Sequence, residues 1–177
     1  PTYVKKYDLP EDLKDGGTFL LNCPWQVEEL EERLPAKMKR DLARKHAQFY
    51  IIDAAKLAAD VGLGKHTNNI LQGAFFALTK VIPMDVAVAD MKKNNYATYF
   101  KKAGQKIVDL NDKAVDVGVH AAVKVDVPAS WVDAQDAPAP QVEATPFVKD
   151  IVLPMDRQQG DKLPVSVFQK HGVLDGT

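Results

Sequence analysis

The apolar residues of the chain form two short runs that predict strands. Residues 18–22 (Thr-Phe-Leu-Leu-Asn) lie between a glycine pair and Pro24, and residues 48–52 (Gln-Phe-Tyr-Ile-Ile) precede Asp53. Neither run alternates strictly between apolar and polar residues, which is typical of strands covered on both faces, as in parallel sheets. We therefore predict two strands of a buried sheet.

Amphipathic helical patterns follow each predicted strand. Apolar residues recur at three- and four-residue spacing, so that they share one face of a helix. The predicted helices cover residues 26–34, 36–46, 54–61, 67–82, 84–91 and 111–123. A strand, a short turn and a helix make half of a parallel strand–helix–strand unit, in which ligands gather beyond the carboxyl ends of the strands. This arrangement would place Asn22, Cys23 and Trp25 at the mouth of any site.

The composition changes beyond Val127. Prolines punctuate an alanine-rich and acidic stretch there, at Pro128, Pro138, Pro140 and Pro146, which predicts an extended segment. We predict a three-layer α/β domain with a small, mostly parallel sheet over residues 1–127, and an extended C-terminal arm over residues 128–177. Because the chain begins at Pro1 without an initiator methionine, we expect a piece of a longer polypeptide. Such a piece would carry a free sheet edge that could cause self-association.

Charge and cysteine content exclude several classes of protein. The 177 residues carry 23 basic and 24 acidic side chains and a net charge of -1. The chain therefore has no overall positive electrostatic field that would attract nucleic acid or an anionic membrane. The single cysteine excludes a disulfide framework, a cysteine-ligated zinc site and an iron-sulfur cluster within the chain. The sequence has no signal-peptide pattern, and no apolar run approaches the roughly 18 residues of a membrane span. We expect a cytoplasmic protein without nucleic acid or membrane partners.

Few residues indicate a binding or catalytic function by themselves. Predicted helix 36–46 carries what we interpret as the only dense basic cluster, which comprises Lys37, Lys39, Arg40, Arg44 and Lys45. A charge run of this kind is usually a solvated helix face, although it also suits an anion. The histidines lack metal-ligand spacing, at His46, His66, His120 and His171. Asp53 is expected to cap the helix that follows it, and Cys23 to be a small buried residue rather than a nucleophile.

Several irregular motifs carry a family resemblance. They occur in order at residues 16–25 (GGTFLLNCPW), 49–54 (FYIIDA), 72–76 (QGAFF), 123–131 (VKVDVPASW), 160–166 (GDKLPVS) and 175–177 (DGT). Together these motifs resemble the third domain of the long single-chain pyruvate:ferredoxin (flavodoxin) oxidoreductases, also called pyruvate synthases. No single motif is decisive, but together they cover nearly the whole chain.

The resemblance implies a role within a larger enzyme. In that family, thiamine diphosphate adds to pyruvate, carbon dioxide leaves, electrons pass singly through 4Fe-4S clusters to ferredoxin or flavodoxin, and the acetyl unit is transferred to coenzyme A. Residues 1–127 resemble the later part of the Rossmann-like, gamma-type domain that is associated with coenzyme A. Residues 128–177 resemble the linker that leads into the next domain. The parent is implied to be a homodimer that uses thiamine diphosphate, Mg²⁺ and 4Fe-4S clusters. This piece would hold none of these cofactors and would be inactive alone.

The resemblance and the charge pattern together suggest a binding site. The phosphates of coenzyme A require Arg, Lys or free N–H groups, so we predict that Lys37, Lys39 and Arg40 bind coenzyme A and that Asn22 adds a polar contact. We predict no catalytic residue and no metal ligand. Two alternatives stay open, namely a purely structural or assembly domain of the same enzyme, and a paralogue that acts on another 2-oxoacid such as 2-oxoglutarate.

Overall fold

The computed structural model describes residues 2–136 and 144–170. Part of the predicted arm therefore lies outside the described residues. His171 and the motif at 175–177 lie outside them as well.

Three strands form a mixed sheet. These are β1 (Thr18–Asn22), β2 (Gln48–Ile52) and β3 (Val123–Val125), in the order β1-β2-β3. β1 pairs in parallel with β2, and β3 pairs antiparallel with β2. Both predicted strands are confirmed at their predicted bounds. The third strand was missed, because its three residues overlap the end of a helical pattern and are too few to establish a period of their own.

The helices occupy most of the remaining chain. Their bounds are α1 (Tyr3–Lys6), α2 (Leu30–Arg33), α3 (Ala36–Arg44), α4 (Ala54–Val61), α5 (Asn68–Thr79), α6 (Met84–Ala103), α7 (Gln105–Ala121), α8 (Leu153–Asp156) and α9 (Val165–Lys170). The Asp53 cap is confirmed, since its Oδ1 accepts from the Lys56 backbone N–H at 2.9 Å. Gly62 ends α4 with a φ of 91°, a left-handed conformation that favours glycine.

Two hydrophobic clusters cover the two faces of the sheet. On one face, residues of α2 and α3 pack against Leu21, Phe49 and Ile51. On the other face, residues of α4, α5 and α7 pack with Ile52 and the half-buried Leu20. α6 packs against α7 and α5. This is the predicted three-layer α/β arrangement, and it corresponds to part of a Rossmann-like domain.

Both strands are covered on both faces of the sheet, as predicted, but β1 is less deeply buried than β2. β2 lies in the centre of the sheet and buries three of its residues, Phe49, Ile51 and Ile52. In β1 only Leu21 is buried, and Thr18 and Asn22 are exposed. An apolar run therefore marked the strand correctly, but it did not distinguish the central position from the edge.

Three helices differ most from their predicted bounds, and α5 also ends at Thr79 rather than at residue 82. Residues 26–34 form a 3₁₀ turn, Val27–Glu29, and only one α-helical turn, α2. α6 continues 12 residues beyond Met91, to Ala103. The prediction ended too early because Asn95 occupies the buried stripe there and interrupts the apolar pattern. α7 begins at Gln105 rather than at Asn111, and its buried face already includes Val108, so the predicted start was six residues too late.

The described part of the predicted arm consists of short helical pieces. A 3₁₀ helix covers Ala129–Asp133, a π-helical turn covers Val148–Val152, and a second 3₁₀ turn covers Gly160–Lys162, in addition to α8 and α9. Trp131 and Ile151 are buried. Trp131 packs in the same cluster as α2 and α3, so the arm is held to the domain there.

Candidate functional site

Asn22 lies at the carboxyl end of β1, as predicted. Its Oδ1 accepts a hydrogen bond from the backbone N–H of Ala54, the first residue of α4, at 3.1 Å. Together with the Asp53 cap, this bond satisfies N–H groups that the first turn of a helix leaves unpaired. Asn22 therefore joins the end of β1 to the start of α4.

Lys37 lies in the first turn of α3, and its side chain is 47% exposed. The Nζ lies 2.8 Å from Asp41 Oδ2 and 3.5 Å from Asp8 Oδ1. The hydrogen bond to Asp41 raises the pKa of the Lys37 ammonium group, with further contributions from both carboxylates. Lys37 also lines a cavity of about 140 Å³ with three other cationic residues, Lys5, Lys6 and Arg157.

Lys39 is buried, with 7% of its surface exposed. Its Nζ donates to Glu31 Oε1 at 2.8 Å and to the Glu31 backbone carbonyl at 2.9 Å. The ammonium group also lies 5.9 Å from the ring centroid of Trp131, within the range of a cation–π contact. The indole N–H of Trp131 donates to Glu31 Oε2. Hydrogen bonds from Lys39 and then Trp131 lower the pKa of the Glu31 carboxyl.

Residues 129–136, which we call the strap, cross α3 and bind its other basic side chains. Arg40 donates to the carbonyl of Ala134, and Arg44 Nη2 donates to the carbonyl of Val132 at 3.3 Å. At the start of the helix, Asp136 Oδ1 accepts from the Ala36 backbone N–H at 2.7 Å. A carboxylate of the chain itself therefore occupies the helix N-terminus, where an anion is favoured.

The structure does not bring the four predicted residues to one site, and only Lys39 and Arg40 share a partner segment, the strap. Asn22 contacts α4, Lys37 contacts Asp8 and Asp41, Lys39 contacts Glu31 and Trp131, and Arg40 contacts the strap. Lys45 of the same basic cluster donates to the carbonyls of Pro10 and Glu11. Of the four residues, Lys37 is the one that lines this cavity and has a half-exposed side chain.

Cys23 is buried, as predicted. It is 3% exposed, and its backbone N–H donates to the carbonyl of Ile52 at 2.9 Å. Burial raises the pKa of the Cys23 thiol above its ordinary value, so the reactive thiolate is disfavoured.

Sequence reasoning missed two polar features of the helical layer. The first is an amide cluster in which Asn69 Nδ2 donates to Asn95 Oδ1 at 3.1 Å and to Asn111 Oδ1 at 2.7 Å. The second is a basic segment, residues 92–106, with five lysines and no acidic residue. The prediction that α3 carries the only dense basic cluster is therefore wrong, and counting charges along α6 would have corrected it.

Within residues 2–136 and 144–170, no group of three or more His, Cys, Asp or Glu side chains could hold a metal ion. No helix in the same ranges is long and apolar enough to cross a bilayer.

These features define an α/β domain of Rossmann-like type, with the polar side chains of α3 engaged in contacts within the chain. Comparison with family models assigns the domain to a family. The model described as pyruvate ferredoxin/flavodoxin oxidoreductase matches residues 1–121, and one described as a domain of unknown function matches residues 133–177. The chain belongs to the pyruvate ferredoxin/flavodoxin oxidoreductase family, which confirms the resemblance seen in its motifs.

Curated relatives match nearly the whole chain. A pyruvate-flavodoxin oxidoreductase from Enterobacter agglomerans is 48% identical over 99% of the chain, and a pyruvate:ferredoxin oxidoreductase from Moorella thermoacetica is 46% identical over 98%. A pyruvate-flavodoxin oxidoreductase from Klebsiella pneumoniae is 42% identical over 99%. In each case the chain spans 15% of the length of the relative.

Proposed function

We propose that the chain is a non-catalytic domain of a larger cytoplasmic enzyme, a homodimer that oxidatively decarboxylates pyruvate. The parent would release carbon dioxide, transfer the acetyl unit to coenzyme A and pass electrons to ferredoxin or flavodoxin. The observation that carries this proposal is the family match over residues 1–121, combined with relatives of that name that are much longer than the chain.

The cofactors of such an enzyme would be held outside this chain. A 4Fe-4S cluster is held by Cys thiolates, whereas this chain has one cysteine, which is buried and has a raised thiol pKa. These residues do not fit a cluster. We assign thiamine diphosphate, Mg²⁺ and the clusters to other domains of the parent.

The reaction can be tested on the parent polypeptide. Purified parent enzyme should reduce ferredoxin or flavodoxin when pyruvate and coenzyme A are both supplied, and it should form acetyl-CoA. Reduction with 2-oxoglutarate but not with pyruvate would instead support the paralogue. No reduction with either 2-oxoacid, by an enzyme loaded with its cofactors, would contradict the proposal.

Within that enzyme, we propose that the cavity beside Lys37 contributes to coenzyme A binding. Four cationic residues line it, and two carboxylates, Asp8 and Asp41, balance them only in part. Phosphate groups favour such a cationic cluster. Lys39 and Arg40, which we also predicted from the sequence, would then act indirectly, because their contacts hold α3 and the strap in place.

Lys37→Gln in the parent tests this role. Losing one charge–phosphate contact should raise the KM for coenzyme A about tenfold, since a hydrogen bond between charged groups contributes about 1.5–3 kcal/mol, and should leave the KM for pyruvate unchanged. Lys56→Gln is the matched control, because Lys56 also pairs with an aspartate four residues later, but on α4. Equal KM values for coenzyme A in both variants would contradict the role.

A structural role is the second candidate, and the strap favours it. Trp131 is 3% exposed and lies in the same core as α3, and the strap is the beginning of residues 128–177, which we predict to be the interdomain linker. Under this alternative, Lys37→Gln would be silent, whereas Trp131→Ala would impair assembly of the parent.

A further inference from the structure

The cavity beside Lys37 is built from three parts of the chain. Its lining residues lie within residues 4–10, within residues 35–41 and in the arm, which contributes Arg157 and Gln159. Arg157 directly follows α8. The domain and the arm therefore share this cavity, and a ligand in it would contact both of them.

Exposed ion pairs connect residues 157–162, which we call the arm turn, to the domain. Lys162 Nζ lies 3.1 Å from each carboxylate oxygen of Glu11 and 3.8 Å from Oδ2 of Asp8. The Oδ1 of Asp8 lies 3.5 Å from Lys37 Nζ, so this carboxylate pairs with the arm and with α3 at the same time. The Lys162 side chain is 58% exposed, and exposed ion pairs contribute little to stability. The arm turn is therefore held weakly, and an additional contact would strengthen its attachment.

Arg157 is a cation of this cavity whose binding capacity is unused. It is exposed, and its guanidinium group forms no ion pair with the residues that the structure describes. A guanidinium group presents several N–H donors in a planar arrangement that matches phosphate. The three cations that the domain contributes to the cavity, Lys37 among them, are balanced only in part by two carboxylates. Arg157 adds a further like charge beside them, which an anion in the cavity would neutralise.

The volume of the cavity and its charge indicate a phosphate group as the ligand. At about 140 Å³ the cavity is smaller than the roughly 300 Å³ or more of a pocket that takes a whole small-molecule ligand. We propose that Arg157, together with Lys37, binds a phosphate group of coenzyme A here, and that coenzyme A thereby holds the arm turn against the domain. Because the two processes are linked, coenzyme A strengthens docking of the arm turn by the same factor by which docking strengthens coenzyme A binding. The inference rests on the proposed function, since it takes coenzyme A as the ligand of this cavity.

Arg157→Gln in the full-length parent tests the contact with phosphate. The KM for coenzyme A should rise about tenfold, because a charge-assisted hydrogen bond to phosphate is lost, and the KM for pyruvate should stay unchanged. Arg157→Lys keeps the charge and should recover part of the loss. Arg33→Gln is the matched control, since Arg33 is an exposed arginine that pairs with Glu29 and does not line the cavity. Equal KM values for coenzyme A in Arg157→Gln and Arg33→Gln would overturn the proposal.

Hydrogen–deuterium exchange of the full-length parent measures the arm turn itself, without turnover. Peptides that cover residues 157–162 should exchange more slowly after coenzyme A is added to the wild-type protein. At a coenzyme A concentration that saturates every variant, this slowing should be absent in Arg157→Gln and should remain in Arg33→Gln. An equal slowing in Arg157→Gln, or no slowing in the wild type, would contradict the proposal.

The variants separate this inference from the proposed function on which it rests. A higher KM for coenzyme A in Lys37→Gln but not in Arg157→Gln would contradict the arm contact and support the coenzyme A site alone. A KM for coenzyme A that neither variant changes would contradict the site itself, and this inference with it. Slower exchange of the arm turn with coenzyme A, in an enzyme that is inactive with pyruvate, would support the arm contact and contradict the proposed reaction alone.

Discussion

At the scale of single residues, Lys39 shows how a buried charge is made compatible with a core. Its ammonium group has a carboxylate, a backbone carbonyl and an indole ring around it. An unpaired buried charge would be strongly destabilising, so these contacts depend on one another. Glu31 is the residue that links Lys39 on α3 to Trp131 in the strap.

The first prediction concerns Glu31 and pH. Because the folded state lowers the pKa of the Glu31 carboxyl, Glu31 contributes stability above its unfolded pKa of about 4.3, and this contribution is lost as the pH falls through the lower folded value. Glu31→Gln should therefore reduce the free energy of unfolding at pH 7 by about 1 kcal/mol or less, since the carboxylate is exposed to solvent. The difference from wild type should become small near pH 3.

Urea unfolding followed by tryptophan fluorescence measures this effect, because Trp131 is buried beside Glu31. Glu32→Gln is the control, since Glu32 is exposed and forms none of these contacts. A Glu31→Gln penalty that is equal at pH 7 and pH 3 would show that the carboxylate charge is not the cause.

At the scale of elements, two glycines determine how closely α5 approaches α7. A Cβ atom added at Gly118 would lie 2.3 Å from the carbonyl oxygen of Ile70, and one added at Gly73 would lie 2.8 Å from the carbonyl oxygen of Val115. Both clashes are with backbone atoms, which cannot rotate away. The Asn69 amide cluster lies between the same helices and α6, so close packing and polar contacts together fix their alignment.

The second prediction is that Gly118→Ala destabilises the domain. Alanine would gain about 1 kcal/mol in helix propensity, but overpacking a core typically costs about 1–3 kcal/mol, and a backbone clash lies at the upper end of that range. The net loss should be about 2 kcal/mol in urea unfolding. Gly160→Ala is the control, because its nearest neighbour would be the Met155 side chain at 3.8 Å. Equal stability of the two variants would mean that α5 and α7 can separate at little cost.

The elements whose bounds were predicted correctly are those defined by residues close together in the sequence. β1, β2 and α4 were predicted at their observed bounds, because apolar runs, Asp53 and Gly62 define them within a few residues. β3 could not be predicted, since a three-residue strand owes its existence to pairing with β2. The basic residues of α3 were recognised, but their partners were not. Arg40 and Arg44 bind carbonyls 94 and 88 residues away in the sequence, which no local pattern reveals.

At the scale of the whole molecule, the sheet ends at β1. Gln48 N–H donates to the Gly17 carbonyl, and Cys23 N–H donates to the Ile52 carbonyl, both at 2.9 Å. Alternate residues of a parallel strand direct their backbone groups to opposite sides, so Thr18, Leu20 and Asn22 direct theirs away from β2. In the described part of the chain, no strand pairs with that side. An open edge of this kind is a template for strand pairing.

The third prediction is that the 177-residue chain self-associates through β1, and that Thr18→Pro weakens this association. Proline is tolerated at the first residue of an edge strand, and at Thr18 it removes an N–H group directed to the free side. Because one hydrogen bond contributes about 1 kcal/mol, the dissociation constant should rise about fivefold in sedimentation equilibrium, with an unchanged circular dichroism spectrum. Phe19→Pro is the contrasting variant, since it removes a donor directed to β2 and should unfold the sheet. A chain that is monomeric at all concentrations, or a Thr18→Pro variant that associates as wild type does, would show that β1 is not the contact.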